Sequence, residues 1–135
     1  MIRQLGDTAM VSGQITPHEV AGLAEEGFTM LVNNRPDGEE PGQPQASEIE
    51  AAAEQAGIAY RFVPIIRGIG PADVEAMQEA LRERGEGKLL AFCRSGGRSA
   101  LTVALAHRAE GASREEVEQR LSQAGFDSGP IAHLL

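Results

Sequence analysis

Lys88-Leu-Leu-Ala-Phe-Cys93-Arg-Ser-Gly-Gly-Arg98-Ser99-Ala100 is the stretch that decides how this 135-residue chain is read. A short apolar run ends on the only cysteine. A tight Ser/Gly loop follows, and the pattern from Ser99 to Ala109 is helical. That is a buried strand, a turn and a helix, with Cys93 at the strand exit facing the helix N-terminus. Unpaired backbone N–H groups and the positive end of the helix dipole favour negative charge there. They also raise the thiolate fraction of a thiol. Gly96 and Gly97 let the backbone turn its N–H groups inward around an anion. Arg94 and Ser95 line the same loop, and Arg98 offers a fork of donors to a bound anion. An inert core cysteine is the bland alternative. Two arginines and two glycines within five positions argue against it, because a merely buried thiol needs neither. A nucleophile inside an anion cradle is suited to covalent group transfer.

Working outward, the chain alternates short apolar runs with capped helices. Ala9–Ser12 reads as a short first strand. Thr16-Pro17-His18-Glu19 is a capping box opening a helix that runs to Gly27. Phe28–Val32 is a buried strand, and residues 33–44 form the longest loop, with three prolines and two glycines. Ser47-Glu-Ile-Glu50 reads as a second capping box, for a helix ending at Gly57. Ile58–Val63 is a strand, Pro71 starts a helix that ends near Gly85, and Lys88–Phe92 is a strand. Ser113-Arg-Glu-Glu116 caps a last helix stopping at Gly125. The expected fold is therefore α/β: a single domain over residues 1–135, with a four- or five-stranded, mostly parallel sheet and helices on both faces. Ligands of such sheets bind beyond the carboxyl ends of the strands. Loops 33–44, 64–70 and 93–98 fall at that edge.

Composition narrows the function. The net charge of −8 argues against nucleic acid or an acidic membrane surface as a partner. A single cysteine excludes an internal disulfide and a multi-cysteine metal site. No cofactor or metal is expected, because the spacings of His18, His107 and His133 match no ligand set. No signal peptide or membrane span is expected from the N-terminus. A reactive free thiol fits a reducing, cytoplasmic setting. The expected partner is a small anionic substrate.

Arg35 and Asp37 follow the Phe28–Val32 strand. Arg35 is a candidate second arginine on the anion, and Asp37, Glu39 or Glu40 a candidate acid. The alternative is a solvated polar loop with proline turns. Arg67, in the next loop, is a weaker candidate.

Val11-Ser-Gly-Gln-Ile-Thr-Pro, Asn33-Asn-Arg-Pro-Asp-Gly-Glu-Glu and Phe92-Cys-Arg-Ser-Gly-Gly-Arg-Ser resemble the phosphatase-like domain of the beta-lactamase hydrolase-like proteins. This is a small bacterial family related to dual-specificity phosphatases, and the resemblance spans about residues 5–126. It implies a cysteine-phosphatase-like fold, Cys93 as nucleophile and Arg98 as anion clamp. Ser99 then matches the hydroxyl that hydrogen-bonds the thiolate. Cysteine phosphatases in general place five residues between cysteine and arginine, whereas this chain has four. That spacing resembles rhodanese sulfurtransferases, whose loop holds a persulfide. Loop 64–70 also lacks the usual aspartate acid; Asp73 comes later, in the first helical turn. The resemblance thus implies hydrolysis of a phosphate ester through phospho-Cys93. Sulfur transfer through a Cys93 persulfide is the alternative, and a non-catalytic anion-binding module is the third reading. Some relatives are fused to a metallo-beta-lactamase-like domain linked to sulfide oxidation, which implies a possible partner of that kind.

Overall fold

A computed structural model describes all 135 residues. In chain order, β1 is Arg3–Gln4, β2 Ala9–Ser12, α1 Pro17–Glu25, β3 Phe28–Asn33, α2 Ala46–Ala56 and β4 Ala59–Phe62. Then come α3 Pro71–Glu83, β5 Lys88–Phe92, α4 Gly97–Ala109, α5 Arg114–Gln123 and a 3-10 helix, Gly129–Leu134. The sheet order is β1-β2-β5-β3-β4. Only the β1–β2 pair is antiparallel.

Side-chain alternation along the two central strands builds the layers. Met30, Val32, Leu89 and Ala91 pack with α3, α4 and α5 through Met77, Val103 and Leu121. Leu31, Leu90 and Phe92 face the other way, onto Val20 and Leu23 of α1 and Ile49 and Ala53 of α2. The large central side chains Met30, Leu31, Leu89 and Leu90 are fully buried. Each contributes about 1.5–3 kcal/mol of burial free energy. Helices therefore cover both faces of a five-stranded, mostly parallel sheet, as the sequence pattern implies.

Three local expectations need correction. β1 is an added antiparallel edge of two residues, too short to show a period. The 3-10 helix at 129–134 is also additional. The second capping box sits two residues earlier than Ser47–Glu50. Helix α2 begins at Ala46, and the Glu48 carboxylate accepts the Gln45 N–H at 2.7 Å. At α1 the expected cap is present, with Glu19 accepting the Thr16 N–H at 2.8 Å. Ser113 caps α5 by accepting the Glu116 N–H.

Topology fixes the location of chemistry. β2, β5, β3 and β4 run parallel, so their carboxyl ends share one edge. Segments 13–16, 34–45, 63–70 and 93–96 all leave from it. Backbone bonds fasten these exits to one another. Cys93 N–H donates to Ser12 O, Asn34 N–H to Phe92 O, Val63 N–H to Asn33 O and Ile65 N–H to Asn34 O. No helix is long and apolar enough to cross a membrane.

Candidate active site

Cys93 follows the last residue of the central strand and is only 1% exposed. The Gly96 N–H donates to its sulfur at 3.2 Å. The N–H groups of Arg94, Ser95, Gly97, Arg98 and Ser99 donate to no group of the protein. A buried thiol therefore lies within a loop carrying five further donors, at the N-terminus of a 13-residue helix. Such an arrangement stabilises an anion on or near the sulfur.

One glycine makes the turn. Gly96 sits at φ +96°, and a Cβ there would lie 3.4 Å from Phe126 and from the Ser12 carbonyl. Gly97 does not share that role. It is the first helical residue, its φ is not positive, and a Cβ on it would meet nothing within 4 Å. Gly96→Ala is therefore expected to cost about 1–2 kcal/mol from the left-handed backbone alone. Gly97→Ala should stay within about 0.5 kcal/mol of wild type. Urea denaturation of the two variants checks this; equal losses would contradict the assignment. On the other side, Gly13 backs the loop: a Cβ there would stand 2.9 Å from the Arg94 carbonyl, which also accepts the Gln14 N–H.

Arg98 is held by its tip. Its Nη1 donates to Glu39 Oε2 at 2.8 Å and to Ile65 O at 2.9 Å, and its Nη2 donates to Glu39 Oε1 at 2.8 Å. Three of the five guanidinium donors are so engaged. The Nε–H and one Nη2 N–H remain, and together they form one parallel edge of the fork. Cys93 neighbours this side chain. The Glu39 carboxylate first, and then the neighbouring Cys93 side chain, hold the Arg98 guanidinium above its ordinary pKa, against partial burial.

Glu39 is in turn gripped from behind. Arg35 is 1% exposed and donates from Nε to Glu39 Oε1, from Nη2 to Glu40 Oε1 and from Nη1 to Gln14 Oε1. The hydrogen bonds from Arg98, opposed by burial and reinforced by Arg35, depress the Glu39 pKa to about 2. Glu39 is thus a fixed carboxylate at neutral pH and has no proton to donate. Arg35, a candidate second arginine on the anion by sequence, has its guanidinium bonded to Glu39, Glu40 and Gln14.

The remaining candidates are placed as follows. Asp37 accepts the Ala46 N–H at 2.7 Å and so caps α2 from nine residues away. Ser99 Oγ donates to Asn34 Oδ1 at 2.8 Å, so its proton is directed to that amide and not to the thiolate. Arg94 is exposed and extends toward Glu40, at 3.6 Å. Ser95 is exposed on the loop. Asp73 accepts the Gly70 N–H and caps α3, leaving loop 64–70 without a carboxylate. Arg67 is exposed and makes no ion pair or hydrogen bond. His107 is mostly buried, and that burial, with Arg120 beside it, lowers its pKa. Sequence reading did not assign roles to Gln14 or Asn34. The signal for Asn34 was an Asn-Asn pair directly after a mostly apolar, buried strand, where polar side chains must find internal partners.

Comparison with known proteins gives a consistent picture. The family model of the beta-lactamase hydrolase-like protein, phosphatase-like domain, matches residues 1–110. A beta-lactamase hydrolase-like protein of Xylella fastidiosa is 40% identical over 130 residues, covering 95% of this chain and 30% of that protein. One from Agrobacterium fabrum is 33% identical over 126 residues, covering 92% and 29%. The chain thus spans about 30% of the length of the curated relatives it matches. Among solved structures, a candidate phosphatase from Neisseria meningitidis Z2491 superposes with a TM-score of 0.82 at 30% identity, over 98% of this chain and 94% of that one. PTPMT1 superposes with a TM-score of 0.76 at 15% identity, over 97% and 89%, a likeness of fold.

Proposed function

Because this chain belongs to the phosphatase-like domain family of the beta-lactamase hydrolase-like proteins, we propose that it is a cysteine-dependent hydrolase of phosphate monoesters. Cys93 is the nucleophile and Arg98 the anion clamp. One observation carries this reading: a buried thiol sits in a loop of unengaged N–H groups, beside an arginine with one donor edge unengaged. The thiolate attacks phosphorus. A P–S bond forms as the ester P–O bond breaks, and the departing oxygen takes its proton from water. Water then attacks phosphorus, the P–S bond breaks, and inorganic phosphate leaves with the thiolate restored. Backbone N–H groups and the free edge of Arg98 hold the phosphoryl oxygens while their charge redistributes.

This site contains no evident proton donor for the leaving group. Glu39 is ionised, Glu40 accepts from Arg35 and faces Arg94, and Asp37 and Asp73 cap helices. Esters of acidic alcohols such as nitrophenol should therefore be favoured over alkyl esters, which lack general acid help of about 10²–10⁴-fold.

The same absence, with four residues between Cys93 and Arg98, supports sulfur transfer as a second reading. There the Cys93 thiolate attacks the outer sulfur of thiosulfate, an S–S bond forms, the donor S–S bond breaks, and sulfite leaves with its electron pair. No acid is required. The greater length of the relatives is compatible with a partner domain that consumes such a persulfide.

Two assays on wild type and Cys93→Ser separate the readings. One is hydrolysis of p-nitrophenyl phosphate; the other is intact mass after incubation with thiosulfate or glutathione persulfide. Cys93-dependent hydrolysis with no mass gain is the expected outcome. A gain of one sulfur, removed by cyanide and absent in Cys93→Ser, without hydrolysis, would replace the phosphatase reading by sulfur transfer. Neither activity, with phosphate still bound, would leave an anion-binding module.

A further inference from the structure

Two observations bear on what leaves when phosphorus is attacked. The first is a cleft beside Arg98, of about 520 Å³, within the usual range for small-molecule sites. Its walls are mixed. Ile65, Ile69, Leu101 and Ile131 supply apolar surface, while Arg98, Arg67 and the His133 imidazole supply polar groups. Arg67 and His133 are both exposed. Ile65 joins the cleft to the anion site: it lines the space, and its carbonyl accepts from Arg98 Nη1 at 2.9 Å. A larger cavity exists, but it is bounded by residues 1–7 and 120–124 and includes none of the loop around Cys93.

The second observation is that the carboxylates around the anion site are all committed. Glu39 is ionised, Glu40 accepts from Arg35, and Asp37 and Asp73 cap helices. A leaving group then has to depart as a free anion. An alkoxide does so poorly. A phenolate, the base of an acid of pKa about 10, does so better. A carboxylate, the base of an acid of pKa about 4, needs no proton at neutral pH. The cleft suits that last kind of group. Arg67 and His133 offer donors to a carboxylate, and the aliphatic walls suit a carbon chain attached to it. A second phosphate fits less well, because it carries more charge and would be desolvated against Ile69, Leu101 and Ile131 without any apolar surface to bury.

We propose that the substrate is an acyl phosphate, the mixed anhydride of phosphoric acid and a short aliphatic carboxylic acid, with its acyl group in this cleft. The proposal rests on the reading of Cys93 and Arg98 as nucleophile and anion clamp. The Cys93 thiolate attacks phosphorus, the P–S bond forms, and the bond from phosphorus to the acyl oxygen breaks. The carboxylate leaves with that electron pair. Water then attacks phosphorus, the P–S bond breaks, the thiolate is restored, and one proton passes to solvent with inorganic phosphate released.

The test follows phosphate release from acetyl phosphate, butyryl phosphate, butyl phosphate, pyrophosphate and p-nitrophenyl phosphate, with the rate of Cys93→Ser subtracted. Butyryl phosphate should be the best of the five, and its kcat/KM should exceed that of acetyl phosphate by about tenfold, the effect of burying two methylenes. Ile69→Asn should remove that preference and Ile69→Leu should keep it, with turnover of p-nitrophenyl phosphate confirming that each variant folds. In heavy-oxygen water the label should enter the phosphate; label in the butyrate would mean attack at the carbonyl carbon and overturn the proposal. Hydrolysis of p-nitrophenyl phosphate without turnover of either acyl phosphate would overturn it while leaving the phosphatase reading in place. Equal rates for acetyl and butyryl phosphate, or a preference untouched by Ile69→Asn, would remove the acyl group from the cleft and overturn it. Pyrophosphate as the best substrate would replace it by a phosphoanhydride. Butyl phosphate turned over as fast as butyryl phosphate, and no longer so in His133→Gln, would make His133 a leaving-group acid and overturn it as well. Failure of all five would overturn both this proposal and the phosphatase reading.

Discussion

Arg98→Lys is expected to lower kcat/KM for p-nitrophenyl phosphate by about 10²–10³-fold, the loss typical of removing one preorganised oxyanion donor. The argument is a count of donors. In wild type, Glu39 and the Ile65 carbonyl take three guanidinium N–H groups, and a parallel pair is left over for the substrate. An ammonium has three donors and no planar fork. If it answers Glu39 and Ile65, little remains for the phosphoryl oxygens; if it turns to the substrate, the Glu39 carboxylate loses its partner. Steady-state kinetics measure this, with circular dichroism to confirm that the fold is kept. A loss below tenfold would mean that the free edge of Arg98 takes no part.

Glu39→Gln should lower kcat by about 10–100-fold, an effect of misplacement rather than of lost chemistry. Glu39 is a positioning residue: it holds the tip of Arg98 while Arg35 holds Glu39. A neutral amide leaves one carbonyl oxygen to answer two arginines. KM should move less than kcat, and Glu39→Asp should restore part of the rate. The pair also leaves a mark on stability. The folded pKa of Glu39, about 2, lies below its ordinary 4.5, so its ionised contacts contribute fully above 4.5 and are lost as pH falls through 2. The stability gap between wild type and Glu39→Gln should be flat at higher pH and narrow across that acidic window. Urea denaturation at a series of pH values reads it. A gap that narrows instead near pH 7 would point to a different titrating group.

The elements that were legible in sequence are those whose causes are local. Phe28–Val32 and Lys88–Phe92 are apolar runs long enough to be central strands, and both are. Cys93-Arg-Ser-Gly-Gly-Arg98 carries its own turn and its own donors, so the loop could be read before any tertiary contact was known. What was not legible depends on partners far along the chain. Asp37 looks like a free acid until Ala46 N–H is seen on it. Ser99 sits where a hydroxyl would serve the thiolate, but Asn34, 65 positions away in sequence, takes its proton. Arg35 follows a strand on the correct edge, and only burial with Gln14, Glu39 and Glu40 reveals that it stands behind the site. The misplaced start of α2 has the same origin: Ser47 and Glu50 match a local pattern, while Gln45 and Glu48 make the contact.

Asn34 ties the site to the heart of the molecule. Its N–H donates to the end of β5, its carbonyl accepts from Ile65, its side-chain oxygen accepts from Ser99 on α4, and its side-chain nitrogen donates to Val63. One fully buried amide therefore joins the strand before Cys93, the helix after it and the loop beyond β4. Active-site loops often open ahead of the scaffold that carries them. Here the loop has no hinge of its own. On heating, catalysis and tertiary structure should fail together, and the hydrogen-bonded amides of Cys93, Asn34 and Ile65 should exchange with solvent as slowly as those of the central strands.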